Sequence, residues 1–312
     1  MPDRRPNETR LQSAMGREDV SVQLESQPVA AARLPWASFR LRPFPQIAIR
    51  VMQLANKDDM PLHILSGLIG SDPAFASELL TVANSPLFAP RIPASSILQA
   101  VARLGTRNIQ GLCLTVAVRA YLGKSLNQPA TRAVWRHNLA CALIAEKIAA
   151  AGPLDKDIAF TSGVMHDIGR LALSTIKPAE YSALLGSHRG TASSILPREQ
   201  EIFGFDHCQA GKQLIADWRL PPNFESSVAD HHAPLQAGNE YQAVDPWRMA
   251  DVINLSCRMA DAVGFAAFPG CETALLADLV NEIPEEERAL FPSDAARLSA
   301  EVGSRIEAVE SV

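Results

Sequence analysis

Gly163-Val164-Met165-His166-Asp167-Ile168-Gly169-Arg170-Leu171 is the stretch that decides how this chain is read. Its apolar neighbours predict burial of the His166-Asp167 pair. A buried carboxylate is costly unless a cation or several donors meet it. A buried imidazole needs partners at both ring nitrogens. Neighbouring positions on a helix project about 100° apart, which suits two ligands closing round one ion. Gly169 removes a side chain where a second helix must come close.

Working outward, the other histidines fall into an order: His137 before the pair, then His207, then His231-His232. Histidine and aspartate together hold hard or borderline cations through nitrogen and oxygen. His137 lies one turn from Cys141 on an apolar helix face, so it is expected to be buried. His207 follows a candidate helix cap at Asp206. His231-His232 is expected at a helix C-terminus, where the dipole favours imidazolium. His63 and His188 stand outside this constellation.

The remaining pattern is helical. Ile47, Val51 and Leu54, and then Leu62, Leu65, Leu68 and Ile69, recur at spacings of three and four. Asp72-Pro73 and Ser95 or Ser96 read as helix starts, Gly105 as a stop, and Asp155 as the cap of the helix that delivers His166-Asp167. The helix near 131–151 is apolar on two faces and is expected at the centre. Further helices are expected at 178–186, 197–203, 206–218, 223–231, 246–264 and 271–281, with another start at Pro284. A last helix follows Ser293-Asp294, and no segment alternates as a strand would. The fold class is all-α. Trp36, Phe39 and Phe44 are expected to seal the first helices.

Composition narrows the function. Across 312 residues, 47% are apolar and 20% charged, so there is ample material for a core. A net charge of −5 provides no global basic field, which argues against nucleic acid as a partner. Five cysteines (113, 141, 208, 257, 271) without CxxC spacing fit reduced thiols in the cytoplasm. No run approaches 18 apolar residues, so neither a membrane span nor a signal peptide is expected.

The stretch around His166-Asp167 resembles the helix for which the HD superfamily is named. The wider pattern is similar to HDOD domains: Phe44-Pro45-Gln46, Asp72-Pro73-Ala74, Leu80-Thr81-Val82-Ala83-Asn84-Ser85 and Ala100-Val101-Ala102-Arg103-Leu104-Gly105 in the first half. Trp135-Arg136-His137, Phe203-Gly204-Phe205-Asp206-His207, Gly211, Trp218-Arg219-Leu220-Pro221 and His231-His232 continue it. The resemblance implies an HD-superfamily helical domain preceded by an N-terminal helical lobe. The expected divisions are a leader at 1–33, an HDOD domain at 34–240 (lobes at about 41–122 and 129–240), and C-terminal helices at 241–312 packing on or extending the second lobe.

The resemblance also implies a bacterial signal-transduction module that acts on signalling proteins through protein contacts and without catalysis, a homodimer being one form. The other function it leaves open is a metal-dependent phosphohydrolase or phosphodiesterase acting on a nucleotide or cyclic dinucleotide. The metal positions of active HD enzymes map onto His137, His166, Asp167, His207 and one or both of His231 and His232, with Mn, Fe, Mg or Zn as the ion. At the last aspartate of that pattern this chain has Cys257, with Asp251 or Asp261 as substitutes under another register. The Gly-Tyr-Pro signature is replaced by Ala233-Pro234-Leu235. Arg103, Arg107, Arg136 and Arg170 would have to cluster at the histidines to hold phosphate.

Overall fold

The structure is a computed structural model that describes residues 43–55, 60–88, 90–234, 248–288, 291–292 and 294–311. The expected leader at 1–33, and with it Trp36 and Phe39, lies outside the described residues.

Four helices build the first lobe: α1 (Gln46–Ala55), α2 (Leu62–Gly70), α3 (Pro73–Ala83) and α4 (Ile97–Leu122). Asp72 accepts hydrogen bonds from the backbone N–H groups of Ala74 and Phe75, and Pro73 fills the first helical position. Ser96 caps α4 through the N–H of Gln99. Inside α4, Gly105 takes φ +80°, a left-handed conformation that breaks the helical path where a stop was expected. The first three helices pack on α4, and α4 carries the lobe onto α6. Phe44 is buried and stacks on Trp218 at 4.2 Å, sealing the lobe against the helix end that precedes Trp218.

The second lobe is organised around α5 (Pro129–Ala151), which is buried along most of its length. It packs on α6 (Lys156–Met165), α7 (Ile168–Ile176), α8 (Pro178–Ser187), α12 (Met249–Ala262) and α15 (Ala295–Glu310). This is the central position that a helix with two apolar faces predicts. Between α8 and α12 run α9 (Leu196–Phe203), α10 (His207–Asp217) and the short α11 (Glu225–Ala229); α13 (Leu276–Val280) and α14 (Glu285–Arg288) precede α15. On α15, Leu298, Val302, Ile306 and Val309 form the buried stripe. The fold is all-α, and no strand occurs among the described residues. None of their helices is long and apolar enough to cross a membrane.

Two expectations need correction. The helix expected over 271–281 is confined to 276–280, because the backbone at Cys271 forms a parallel bridge with Gly190. His166-Asp167 does not lie within a continuous helix: α6 ends at Met165, α7 begins at Ile168, and Asp167 has φ −102° and ψ 24°. The chain turns at the pair, so the two side chains are aimed by a break rather than by helical phase.

Gly67 offers a clean test of local energetics. It is exposed within α2, and a Cβ there would meet nothing within 4 Å. Gly67→Ala is expected to stabilise the protein by about 0.5–1 kcal/mol. Urea denaturation checks this, and a loss of stability would show that α2 is not helical at that turn.

Candidate metal centre

Five segments converge on one interior point. His137 comes from the middle of α5, His166-Asp167 from the α6–α7 break, His207 from the first turn of α10, His231-His232 from the residues after α11, and Cys257 from α12. Close helix contact makes this convergence workable. A Cβ on Gly163 would lie 2.4 Å from the Ala142 Cα, so α5 and α6 touch backbone to backbone there. A Cβ on Gly169 would lie 1.9 Å from the His207 carbonyl oxygen, so α7 and α10 do the same. His137, His166, Asp167, His207 and His231 are all buried, and His232 is half-buried.

In each of four histidines Nδ1 is committed away from the centre. His166 Nδ1 donates to the Gly163 carbonyl at 2.7 Å and His231 Nδ1 to the Val228 carbonyl at 2.9 Å. His137 Nδ1 donates to the Phe265 carbonyl at 2.9 Å, with Asp261 Oδ1 at 3.3 Å. His207 Nδ1 donates to Glu199 Oε2 at 2.6 Å. Such outer contacts fix the tautomer and leave Nε2 as the inward nitrogen. His166 Nε2, His231 Nε2 and Asp167 Oδ1 are buried and have no hydrogen-bond partner. His231 Nε2 and His207 Nε2 each lie 3.3 Å from Asp167 Oδ1, and His166 Nε2 lies 3.6 Å from Asp167 Oδ2. Donors that share one ion at about 2.0–2.2 Å stand about this far apart. The residues present therefore fit a cation. Ligand atoms come within common reach in three sets: His166, Asp167 and His231; His137, His166 and Cys257; and His207, Cys208, His231 and His232.

A second charged layer backs the imidazoles, built from Arg170, one of the arginines named from the sequence, and Glu199, which the sequence reading missed. Arg170 is almost wholly buried, with Nε 2.8 Å from Asp167 Oδ2 in an ion pair. Its Nη2 donates to the Ala192 carbonyl at 3.1 Å and lies 3.3 Å from His232 Nε2. Glu199 accepts from the Tyr181 hydroxyl at 2.7 Å and from the backbone N–H of His207 at 2.8 Å. Glu199 shares the stripe of Ile195 and Phe203 at spacings of four, and an acid on an apolar stripe was the available signal.

Charge follows from these contacts. Burial would raise the pKa of Asp167, but Arg170, His166 and His207 hold it well below the usual carboxylate range. Burial opposes a proton on His166, yet Cys257 and Asp167 beside it lift its pKa to about 9. Burial and Arg170 oppose one on His207, while Glu199 and Asp167 raise it to about 10. Burial depresses His231 to about 4, despite its contact with Asp167. His232 is pushed down by burial and by the charge of His231, His207 and Arg170. The helix-end imidazolium expected at His231-His232 is thus overturned, because burial outweighs the dipole.

The two substitute aspartates fall in different places. Asp251 is half-exposed and paired with Arg248 at the start of α12, outside the cluster. Asp261 is buried behind His137, at Nδ1, where it orients the ring without facing the centre. Cys257 is the α12 residue that reaches His137 and His166. Among the four arginines considered for phosphate, only Arg170 is at the histidines. Arg103 bonds the Ile92 and Pro93 carbonyls, Arg107 pairs with Asp155, and Arg136 approaches Glu310 and the Phe265 ring.

Helices carrying inward histidines round a His-Asp turn define an HD-type helical domain. Residues 41–234 match the HDOD domain model, and the chain belongs to that family. A Treponema pallidum (strain Nichols) protein of uncharacterised function is 22% identical over 231 residues, which is 72% of this chain and 44% of the relative. The chain thus spans less than half the length of that relative. A Geobacter sulfurreducens HDOD domain protein of unknown function superposes with a TM-score of 0.61 at 21% identity, covering 87% of this chain and 92% of the other. A Marinobacter aquaeolei VT8 protein, assigned to signal transduction by name alone, gives 0.65 at 20% identity over 86% and 59%. At these identities the likeness shows the fold.

Proposed function

We propose that the chain is a signal-transduction output module that works through protein contacts and does not hydrolyse phosphate esters. The observation that carries this reading is Arg170. Hydrolysis by a two-ion site needs its bridging carboxylate free to hold cations and to activate water. Here a guanidinium that stays protonated at any working pH already neutralises Asp167. Cys257 in place of a carboxylate removes a second negative oxygen from the same site. A cavity of about 430 Å³ opens beside His232 and Asp261, but the arginine on its wall, Arg258, is bonded twice to Glu282 at 2.6 Å. It has no cation to spare for a phosphate.

The contact surface in this reading is the N-terminal lobe. Leu62, Ile64, Ile92 and Leu98 are large apolar side chains exposed on it. Signalling proteins are the partner class, and the cytoplasm is where reduced cysteines fit.

The test is an assay of the purified chain with Mn²⁺ or Fe²⁺ on nucleoside phosphates and cyclic dinucleotides. No turnover above that of Asp167→Ala is expected. Turnover that Asp167→Ala abolishes would overturn the reading.

A further inference from the structure

His166 has one inward nitrogen, and two different partner sets compete for it. On one side stand Asp167 and His231, an oxygen and a nitrogen; on the other stand His137 and Cys257, a nitrogen and a sulfur. Its Nδ1 is spent on the Gly163 carbonyl, so Nε2 can bind one ion only. Which side wins depends on the softness of the ion and on the charge each side can still offer. Arg170 is already paired with Asp167, which lowers the pull of the oxygen side on a hard cation. Among the described residues no arginine or lysine is paired with Cys257 on the sulfur side.

We propose that the chain binds a single thiophilic divalent ion, of the Zn²⁺ class, through His137 Nε2, His166 Nε2 and the Cys257 thiolate. This inference rests on the cluster being a cation site, though not on the absence of hydrolysis. Cys257 does not carry it alone, because His166 Nε2 is buried, unpartnered and within common ligand reach of the sulfur and of His137. Thiolate with imidazole selects Zn²⁺ over Mg²⁺ and Mn²⁺, which favour carboxylate and water. Binding releases to solvent the Cys257 thiol proton and any proton held on the Nε2 atoms of His137 and His166 as the sulfur–metal and nitrogen–metal bonds form, the usual coupling of metal and proton. Cys141 Sγ lies 3.4 Å from Cys257 Sγ and supports it from the outer side. Asp261 Oδ1, 3.3 Å from the His137 Nδ1 that donates to the Phe265 carbonyl, adds a negative charge behind the ring and so strengthens His137 as a ligand. The ion would tie α5, the α6–α7 break and α12 together through three protein ligands, its fourth position left to solvent.

Co²⁺ titration of the full chain, after stripping with a chelator, tests this through absorbance. The expected result is a near-ultraviolet sulfur-to-cobalt charge-transfer band, displaced by Zn²⁺ and not by Mg²⁺. Cys257→Ser should lose the band, whereas Cys141→Ser should keep it. Asp261→Asn should keep the band but weaken Co²⁺ binding about 10–100-fold. Thermal denaturation of the wild-type chain with added Zn²⁺ gives a readout that needs no variant: Tm should rise with Zn²⁺ concentration and not with Mg²⁺. Cobalt bound without the band, a band that survives in Cys257→Ser, or no cobalt bound at all would each overturn the proposal. Phosphate-ester turnover with the band present would sink only the non-catalytic reading.

Discussion

Arg170→Met is expected to lower stability by about 3–5 kcal/mol, the loss typical when one partner of a buried ion pair is removed. Asp167 would then sit almost fully buried, beside His166 and His207, without the largest of the charges that hold its pKa down. Methionine matches much of the volume, so packing accounts for little of the loss. The side chain also gives up its bond to the Ala192 carbonyl, which frees the segment over the cluster. Urea denaturation measures the effect. A divalent cation should return part of the stability in this variant more than in the wild type, because an ion can then take the place of the guanidinium. A loss below about 1 kcal/mol, inside the range of an exposed ion pair, would show that Arg170 is not the internal counter-charge.

Gly169→Ala is expected to cost at least about 3 kcal/mol, the upper part of the range for overpacking. The added Cβ would fall 1.9 Å from the His207 carbonyl oxygen and 2.8 Å from the Gly211 amide nitrogen, and backbone cannot rotate away as a side chain can. Helices α7 and α10 would have to separate, carrying His207 away from Asp167. The variant should therefore lose both thermal stability and the spacing at the cluster. Circular dichroism melting reads the first. A melting temperature equal to that of the wild type would mean that the two helices are further apart than described. Gly67→Ala, with open space round it, is the internal control for helix propensity.

Much of the fold was legible because its determinants are local. Asp72, Ser96, Asp155, Asp206 and Asp294 cap helices in the structure. Asp72, Asp155 and Asp206 are legible as starts directly from the chain, and Ser96 and Asp294 each as one of two neighbours. A cap acts on N–H groups two or three residues away, so sequence distance and spatial distance agree. The central place of α5 was also legible, since apolar residues on two faces leave a helix no face for water. Less legible was the short α13, because a tertiary bridge at Cys271 competed with helix formation.

For the candidate site, the residue types and their order along the chain pointed to one cation-binding pocket, and the structure brings His137, His166, Asp167, His207, His231, His232 and Cys257 together. What the sequence by itself determined is most of the helices and the supply of side chains able to bind a cation, because periodicity, caps and side-chain chemistry act within a few residues. Only the tertiary structure decided that Arg170 turns inward to Asp167, that Glu199 backs His207, and that Cys257 faces the imidazoles while Asp261 stands behind one. The physical reason is distance along the chain. Cys141 and Cys257 are 116 residues apart and touch, and no local rule brings them together; the packing of α12 on α5 does.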